Sequence, residues 1–447
     1  MKKLVKARET RYVYAGSELN DWFESVPIEA PGRDTLWDMA TGDDGKIYVG
    51  VCSELKTGTA ALAVYDPKRG QPRIVFEVNE LMGDMVKAGR IPHSKIHYSL
   101  CAAGRYVWFG THVNAPHGPG DIYDPIGQGP MTDPLSGYEG GRLLRYDTKT
   151  GKTEQFGIVI PNEGVRCLHL SHDRRYGYGI SYPKQRFFIR DLEGGETYLS
   201  GRVGRHGAID VFVDPSGTVW GAHDGYEGTR AGQFYYFDQK SRRLVDVDVF
   251  LPRSSRYRMC YPQLGNHVLH FTPTPDGQAV VSAYGEGRIA LFDPKGPKVY
   301  DWGPVWEKPA VLHGKDREAT LSYSFPILPW YAWCPVFDRR GRTIDGRHYD
   351  RLVWYGDEKW EFVEDVRLCA IAYNHKRPEE IVKIRFGTPR VGNHPAGHWM
   401  DSTMGPDGTI YFTDRVRPPA GVDLSVDPVL RLAAFTPPRD LVPLEKV

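Results

Sequence analysis

The sequence predicts an all-β protein, a single seven-bladed β-propeller built from four-stranded antiparallel blades. Three observations carry that expectation. A strand–turn–strand unit with an Asp-Gly turn or a relative recurs along the chain, its copies end in a Tyr-Asp or Phe-Asp turn, and no extended helical periodicity interrupts the series. The spacing of the copies fits the ~40 to 50 residues of a propeller blade.

Taken in order, the clearest copies are "LWDMATGDDGKIYVGVCSE...ALAVYDPKRG", "KIHYSLCAAGRYVWFGTHVN...GGRLLRYDTKTG", "GVRCLHLSHDRRYGYGISYPKQRFFIRDLEGG", "AIDVFVDPSGTVWGAHDG...GQFYYFDQKS", "VLHFTPTPDGQAVVSAYGEGRIALFDPKG" and "WMDSTMGPDGTIYFTDR...LRLAAF". The interval 315–386 contains "PVFDRRGR" and "LCAIAYNHK...VKIRF" and reads as an extended further copy, which brings the total to seven. One short helix is predicted, in "VNELMGDMVKAGR" between the first two copies. Residues 1–447 are expected to form one domain, with the N-terminal segment closing the last blade and a long loop, 113–140, lying over the central funnel. A repeated sandwich or a β-helix would also explain the glycine-rich turns, but not a Tyr-Asp turn at blade spacing.

Composition agrees with many short strands and tight turns: 26 Tyr, 11 Trp, 49 Gly and 34 Pro in 447 residues. Tyr and Trp also offer flat apolar faces with a polar edge, as carbohydrate-handling proteins require. The balance of 57 Lys+Arg against 56 Asp+Glu, without long runs of either sign, predicts neither a nucleic-acid nor a membrane-surface partner. The N-terminus "MKKLVKARETRYVYAG" lacks an apolar core of signal-peptide length, so a cytoplasmic location is expected. Cys52, Cys101, Cys167, Cys260, Cys334 and Cys369 form no CxxC pair and read as free thiols. Oligomeric state is not readable.

In a propeller the start of each innermost strand and the end of each second strand open onto one funnel. Counting from the turns places Asp38, His97, Cys167 beside Arg166, Asp210, His270 and Asp401 at the first kind of position. Cys52, His112, Tyr182, His223, Tyr284 and Asp414 occupy the second kind. Loop residues Tyr138, His206, Arg256 and Arg258 could reach the same cavity. Asp38, Asp210 and Asp401 are expected to bond the backbone of neighbouring blades. The convergence of His97, His112, His223, His270 and Arg166 on one cavity is what suggests a site.

The sequence has no GxSxG elbow, phosphate loop, GxGxxG after a strand, or HExxH. His394/His398, His93/His97 and His267/His270 are spaced three or four apart, but on strands and loops that spacing does not define a metal site. No cofactor is expected to be required, and a structural divalent ion is left open.

"KIHYSL", "FGTHVN", "YEGGRLLRYD", the Arg in "EGVRCLHLS" and "YGISYP" resemble the seven-bladed propeller polysaccharide lyases of the ulvan lyase and rhamnose-glucuronate lyase type. The resemblance implies a carbon–oxygen lyase acting on a uronate-containing oligo- or polysaccharide. It would cleave the bond to O4 of a uronic acid, in a rhamnose-(1→4)-glucuronate linkage, by β-elimination. By order and local motif it assigns catalysis to His97, His112, Tyr138 and Arg166, with Arg166 neutralising the carboxylate and Tyr138 the acid. Tyr182, His206, His223, Arg256 and His270 would bind substrate, and Trp330 or Tyr331 could stack on sugar rings. Two other classes stay open: a propeller that only binds sugar or protein, and a metal-dependent propeller hydrolase or lactonase.

Overall fold

Glycine at the tip of an Asp-Gly or Ser-Gly turn supplies the left-handed backbone that folds one strand back on the next. Gly45, Gly217, Gly277 and Gly408 occupy that place with φ of 76°, 86°, 85° and 87°. Repeating the device yields seven antiparallel blades in a ring, with almost no helix.

The computed structural model describes residues 4–13, 23–53, 58–84, 88, 91–113, 138–204, 209–225, 228–252, 268–283, 288–304, 318–322, 325–328, 331–343, 360–374, 376–387, 389–392, 394–397, 399–416 and 428–436. Blade 1 pairs Thr35–Thr41, Ile47–Cys52, Ala61–Tyr65 and Pro72–Glu77 from the axis outward, and blade 2 pairs Lys95–Ile96 and Cys101–Ala103 with Tyr106–His112, followed by Arg142–Asp147 and Thr153–Ile158. Blade 3 pairs Gly164–Leu170, Tyr176–Tyr182, Arg186–Asp191 and Thr197–Arg202, and blade 4 pairs Phe212–Val213, Val219–Ala222, Gln233–Asp238 and Arg243–Phe250. Blade 5 runs from Val268–Pro273 to Lys298–Pro304. Blade 6 is the extended copy, dominated by Tyr331–Thr343 and Trp360–Asn374. The short helix is Val78–Met82, between blades 1 and 2.

Blade 7 contains Ser402–Met404, Ile410–Val416 and Val429–Phe435, and its outermost strand is Phe23–Pro27 from the other end of the chain. Before reaching it the N-terminal segment pairs in parallel with the rims of blade 5, through Leu4–Lys6, and blade 6, through Arg8–Val13. Three blades are therefore laced by one segment.

Both faces of each blade are buried against neighbours, so apolar side chains form layers between blades. Tyr48, Leu62, Phe109 and Leu144 join blades 1 and 2, and Phe234 stacks on Phe292 at 4.4 Å between blades 4 and 5. Glycines inside strands allow close approach: a Cβ on Gly179 would lie 2.0 Å from the Cys167 carbonyl oxygen and 2.6 Å from Phe188. Gly179→Ala is expected to destabilise the protein by about 1–3 kcal/mol in chemical denaturation. Gly296→Ala, which meets nothing within 4 Å, should stay within about 0.5 kcal/mol of the parent.

The three inner-strand aspartates pin blades together. Asp401 Oδ2 accepts the Met39 N–H at 2.7 Å, Asp38 Oδ2 accepts those of Ser99 and, at 2.8 Å, Leu100, and Asp210 Oδ2 accepts that of Phe271 at 2.9 Å. Blades 7, 1 and 2 are linked in this way, as are 4 and 5. Between blades 2 and 3 the Tyr98 carbonyl takes the Leu168 N–H at 3.0 Å. Cys52, Cys101, Cys167 and Cys369 are free thiols.

Candidate functional site

The innermost strand of blade 2 is broken. Lys95–Ile96 and Cys101–Ala103 both pair with Tyr106–His112, and between them Tyr98 adopts φ 45°. His97 therefore sits in the gap and not within a regular strand as the turn count places it, because the left-handed residue takes the chain out of the ladder. The register sets Lys95 directly opposite His112.

Four rings follow one another here. Trp37 stacks on His97 at 4.7 Å and 21°, His97 on His112 at 5.1 Å and 23°, and His112 lies 4.7 Å from Tyr182. Lys95 Nζ stands 4.6 Å from the Trp37 ring centre and the Arg166 guanidinium 5.5 Å from that of Tyr182. All six residues except Trp37 are at least nine-tenths buried, with Lys95 at 6% and Arg166 at 7% exposure. Gly164 makes the approach of blade 3 feasible, since a Cβ there would lie 3.2 Å from His112 Cα.

Hydrogen bonding fixes the imidazole tautomers. His97 Nδ1 faces the Arg166 carbonyl at 3.1 Å and His112 Nδ1 faces that of Val113 at 2.5 Å. Carbonyls only accept, so both Nδ1 atoms carry hydrogen and each neutral ring keeps its basic lone pair on Nε2. Burial, then the neighbouring charges, hold both imidazoles well below the ordinary histidine range. His97 is influenced by His112, Arg166 and Lys95, and His112 by Lys95 and Arg166. The cluster thus combines two neutral bases with two buried cations.

Tyr138 is placed at the edge of this cluster, packed with Val113 and Tyr182. Its hydroxyl lies 3.2 Å from His93 Nδ1, which also meets Thr111 Oγ1 at 2.8 Å. His93 Nε2 faces Glu139 Oε1 at 3.1 Å, and Arg142 Nε donates to the same oxygen at 2.5 Å. Burial pushes the Tyr138 phenol up, while the His93 and Arg142 bonds hold the Glu139 carboxyl down. The glycines after Tyr138 are required by this path: Gly140 has φ 117°, and a Cβ on Gly141 would lie 2.4 Å from the Thr111 carbonyl oxygen.

A second group lies beyond Tyr98, whose ring is 4.6 Å from His97 and 5.6 Å from His270. Here the buried Asp210 carboxylate meets His169 Nε2 at 2.6 Å and His270 Nδ1 at 2.9 Å. Its pKa is lowered, the two histidines outweighing burial, and His169 is raised in turn by Asp210. Asp38 and Asp401 lie against each other; burial pushes Asp38 up to about 6, and burial together with the Asp38 charge raises Asp401 well above the usual carboxylate range.

The structure brings together His97, His112, Arg166 and Tyr182 and places Tyr138 beside them. His270 belongs to the second group. His223 is buried elsewhere, with Nδ1 at 3.2 Å from the Val203 carbonyl and Nε2 at 2.8 Å from Asp246. Cys52 bonds the Ile96 carbonyl and Asp414 accepts from Arg431, so both act in packing. His206, Arg256, Arg258, Tyr284, Trp330, His267 and His398 lie outside the described residues, as does the Tyr331 side chain. Trp37, Lys95, His93 and His169 complete these groups without having been singled out as site residues. Two-residue alternation could have found His169, on the face of Cys167. Among the described residues no three His, Cys, Asp or Glu side chains gather as a metal-binding set.

No protein-family profile matches the chain, and no curated protein sequence matches it. Solved structures do share its fold. A streptogramin B lyase matches with TM-score 0.51 and 11% identity, over 93% of this chain and 97% of that one. A catalytically inactive virginiamycin B lyase of Staphylococcus aureus, solved with quinupristin, matches with TM-score 0.52 and 8% identity, over 92% and 98%. The extracellular domain of a one component system of B. thetaiotaomicron matches with TM-score 0.50 and 10% identity, over 94% of this chain and 40% of that one. The neighbours thus include streptogramin B and virginiamycin B lyases and the extracellular domain of a one component system.

Proposed function

We propose that the protein is a lyase that cleaves the bond to O4 of a uronic acid by β-elimination, with a rhamnose-(1→4)-glucuronate linkage as the first candidate. The observation that carries this reading is the pairing of two buried neutral imidazoles, each with its lone pair on Nε2, with the buried Arg166 cation. A C5–H bond is too weakly acidic to break while the adjacent carboxylate keeps its full charge. A cation on that carboxylate favours the enolate-like state, and a neutral imidazole can then act as base.

In this scheme Arg166 holds the carboxylate and His112 Nε2 takes the C5 proton. The C5–H electron pair becomes the C4=C5 bond, and the C4–O4 pair leaves on O4. A proton from Tyr182 completes the departing hydroxyl, and the imidazolium returns its proton to the phenolate through solvent. Tyr182 fits the acid role better than Tyr138, since its ring adjoins His112 and the Tyr138 hydroxyl is engaged with His93. His97, packed between Trp37 and His112, orients the base. The ring faces in this row are spent on one another, so a sugar would meet ring edges and hydrogen-bonding atoms.

The test is a panel of uronate-containing glycans, followed by the ultraviolet absorbance and mass of an unsaturated uronate product. Such a product from a 4-linked glucuronate is the expected result. Binding with no product across the panel would leave a sugar-binding propeller and overturn the lyase reading.

A further inference from the structure

We propose that Glu163 is a positioning residue of this site, its buried carboxylate clamping the turn that carries Tyr182 against His112. The inference rests on the uronate reading, in which Tyr182 is the acid and His112 the base, and adds a residue that is itself closed off from substrate.

Glu163 immediately precedes the innermost strand of blade 3, where Gly164 faces Tyr182 across the ladder and leaves room for His112. Its side chain has no exposed surface. One carboxylate oxygen accepts the Ser181 O–H at 2.6 Å and the Arg186 Nε–H at 3.3 Å, and the other accepts from Arg186 Nη2. Ser181 Oγ in turn accepts the Arg186 N–H at 3.0 Å. The carboxylate therefore grips both residues that flank the turn 182–185. The Glu163 carbonyl takes the Gly141 N–H at 2.7 Å, so the same residue ties that turn to blade 2, which supplies His112.

The turn needs such a hold. Gln185 adopts φ 52°, a left-handed conformation that a residue with a side chain rarely takes, and its fully buried amide meets no hydrogen-bond partner among the described residues. A strained segment of this kind persists only where its surroundings over-determine it. Charge-assisted bonds to a carboxylate supply that constraint. What they fix is the end of the strand bearing Tyr182, whose ring lies 4.7 Å from that of His112.

An activated leaving group tests the assignment. Glu163→Gln keeps the shape of the side chain and removes its charge. On rhamnosyl-(1→4)-glucuronate its kcat is expected to fall by about 10–10²-fold, with KM within about threefold of the parent. On 4-O-(4-nitrophenyl)-glucuronate, whose phenolate departs without a proton, kcat should stay within about threefold, because an acid out of place then makes no difference. In NMR spectra the His112 ring protons, which feel the Tyr182 ring in the parent, should shift in the variant. Arg186→Gln, at the partly exposed end of the clamp, is the second variant should Glu163→Gln fail to fold. Equal loss on both substrates, no loss on either, or unshifted His112 protons overturns the assignment. A shifted His112 signal, with no unsaturated product from the parent on either substrate, keeps the clamp and overturns the lyase reading.

Discussion

His112→Ala is expected to lower kcat on a glucuronate-containing oligosaccharide by about 10²–10⁴-fold while binding persists. The imidazole's one hydrogen bond among the described residues is local, to the Val113 carbonyl, so its loss leaves the blade ladders intact. Arg166→Ala should behave differently, losing affinity as well as turnover, because its charge acts on the bound carboxylate before and during reaction. Single-turnover kinetics with direct binding separate the two. Equal loss of binding in both variants would argue that His112 recognises substrate and does not move the proton.

The same residue sets the pH profile. The reactive form is the neutral imidazole, and burial with Lys95 and Arg166 holds His112 below the usual histidine value of 6.5. Falling pH therefore protonates the base only below 6.5, so the acid limb of kcat/KM should lie beneath that pH, with the alkaline side governed by the general acid. An acid limb at or above 6.5 would overturn the assignment. Stability follows the same sign. Unfolded His97 and His112 take up protons as pH falls through 6.5 whereas the folded residues resist, so their contribution is present above 6.5 and lost as pH drops through the folded values.

What was readable in the sequence reflects how local each determinant is. Asp-Gly turns and strand alternation act within ten residues, so blade number and the aspartates that bond the next blade follow from them. The pairing of His97 with His112 and Arg166 is readable for the same reason, since each stands at a fixed distance from a turn. Lys95 escapes that count because it precedes the first histidine by two and the innermost strand breaks at Tyr98. The direction of the Tyr138 hydroxyl depends on the Gly140–Gly141 path and on His93, which comes from 45 residues earlier. Burial of His223 against Asp246 is likewise a tertiary outcome. Position along a repeat predicts which end of a blade a residue occupies, but not which partner its polar atoms find there.

Asp210→Ala is expected to cost about 3–5 kcal/mol. One carboxylate serves the Val211 and Phe271 N–H groups and both His169 and His270. Alanine would strand the Val211 and Phe271 N–H groups and His169 Nε2 and cut the tie between blades 4 and 5. Denaturation across pH gives the loss a signature that simple cavity formation lacks. The Asp210 carboxyl is held below its usual 3.8, so its contribution is present above that pH and disappears as pH falls through the folded value. His169 is raised by the same contact, so the stability from its charged form is full below 6.5 and fades as pH rises through its folded value. Replacing Asp210 removes both dependences, and the alkaline decline of the parent that comes from His169 should flatten in the variant. Unchanged alkaline slopes, with stability lost equally at every pH, would show that Asp210 acts through its backbone bonds alone and that the His169 contact does not hold charge.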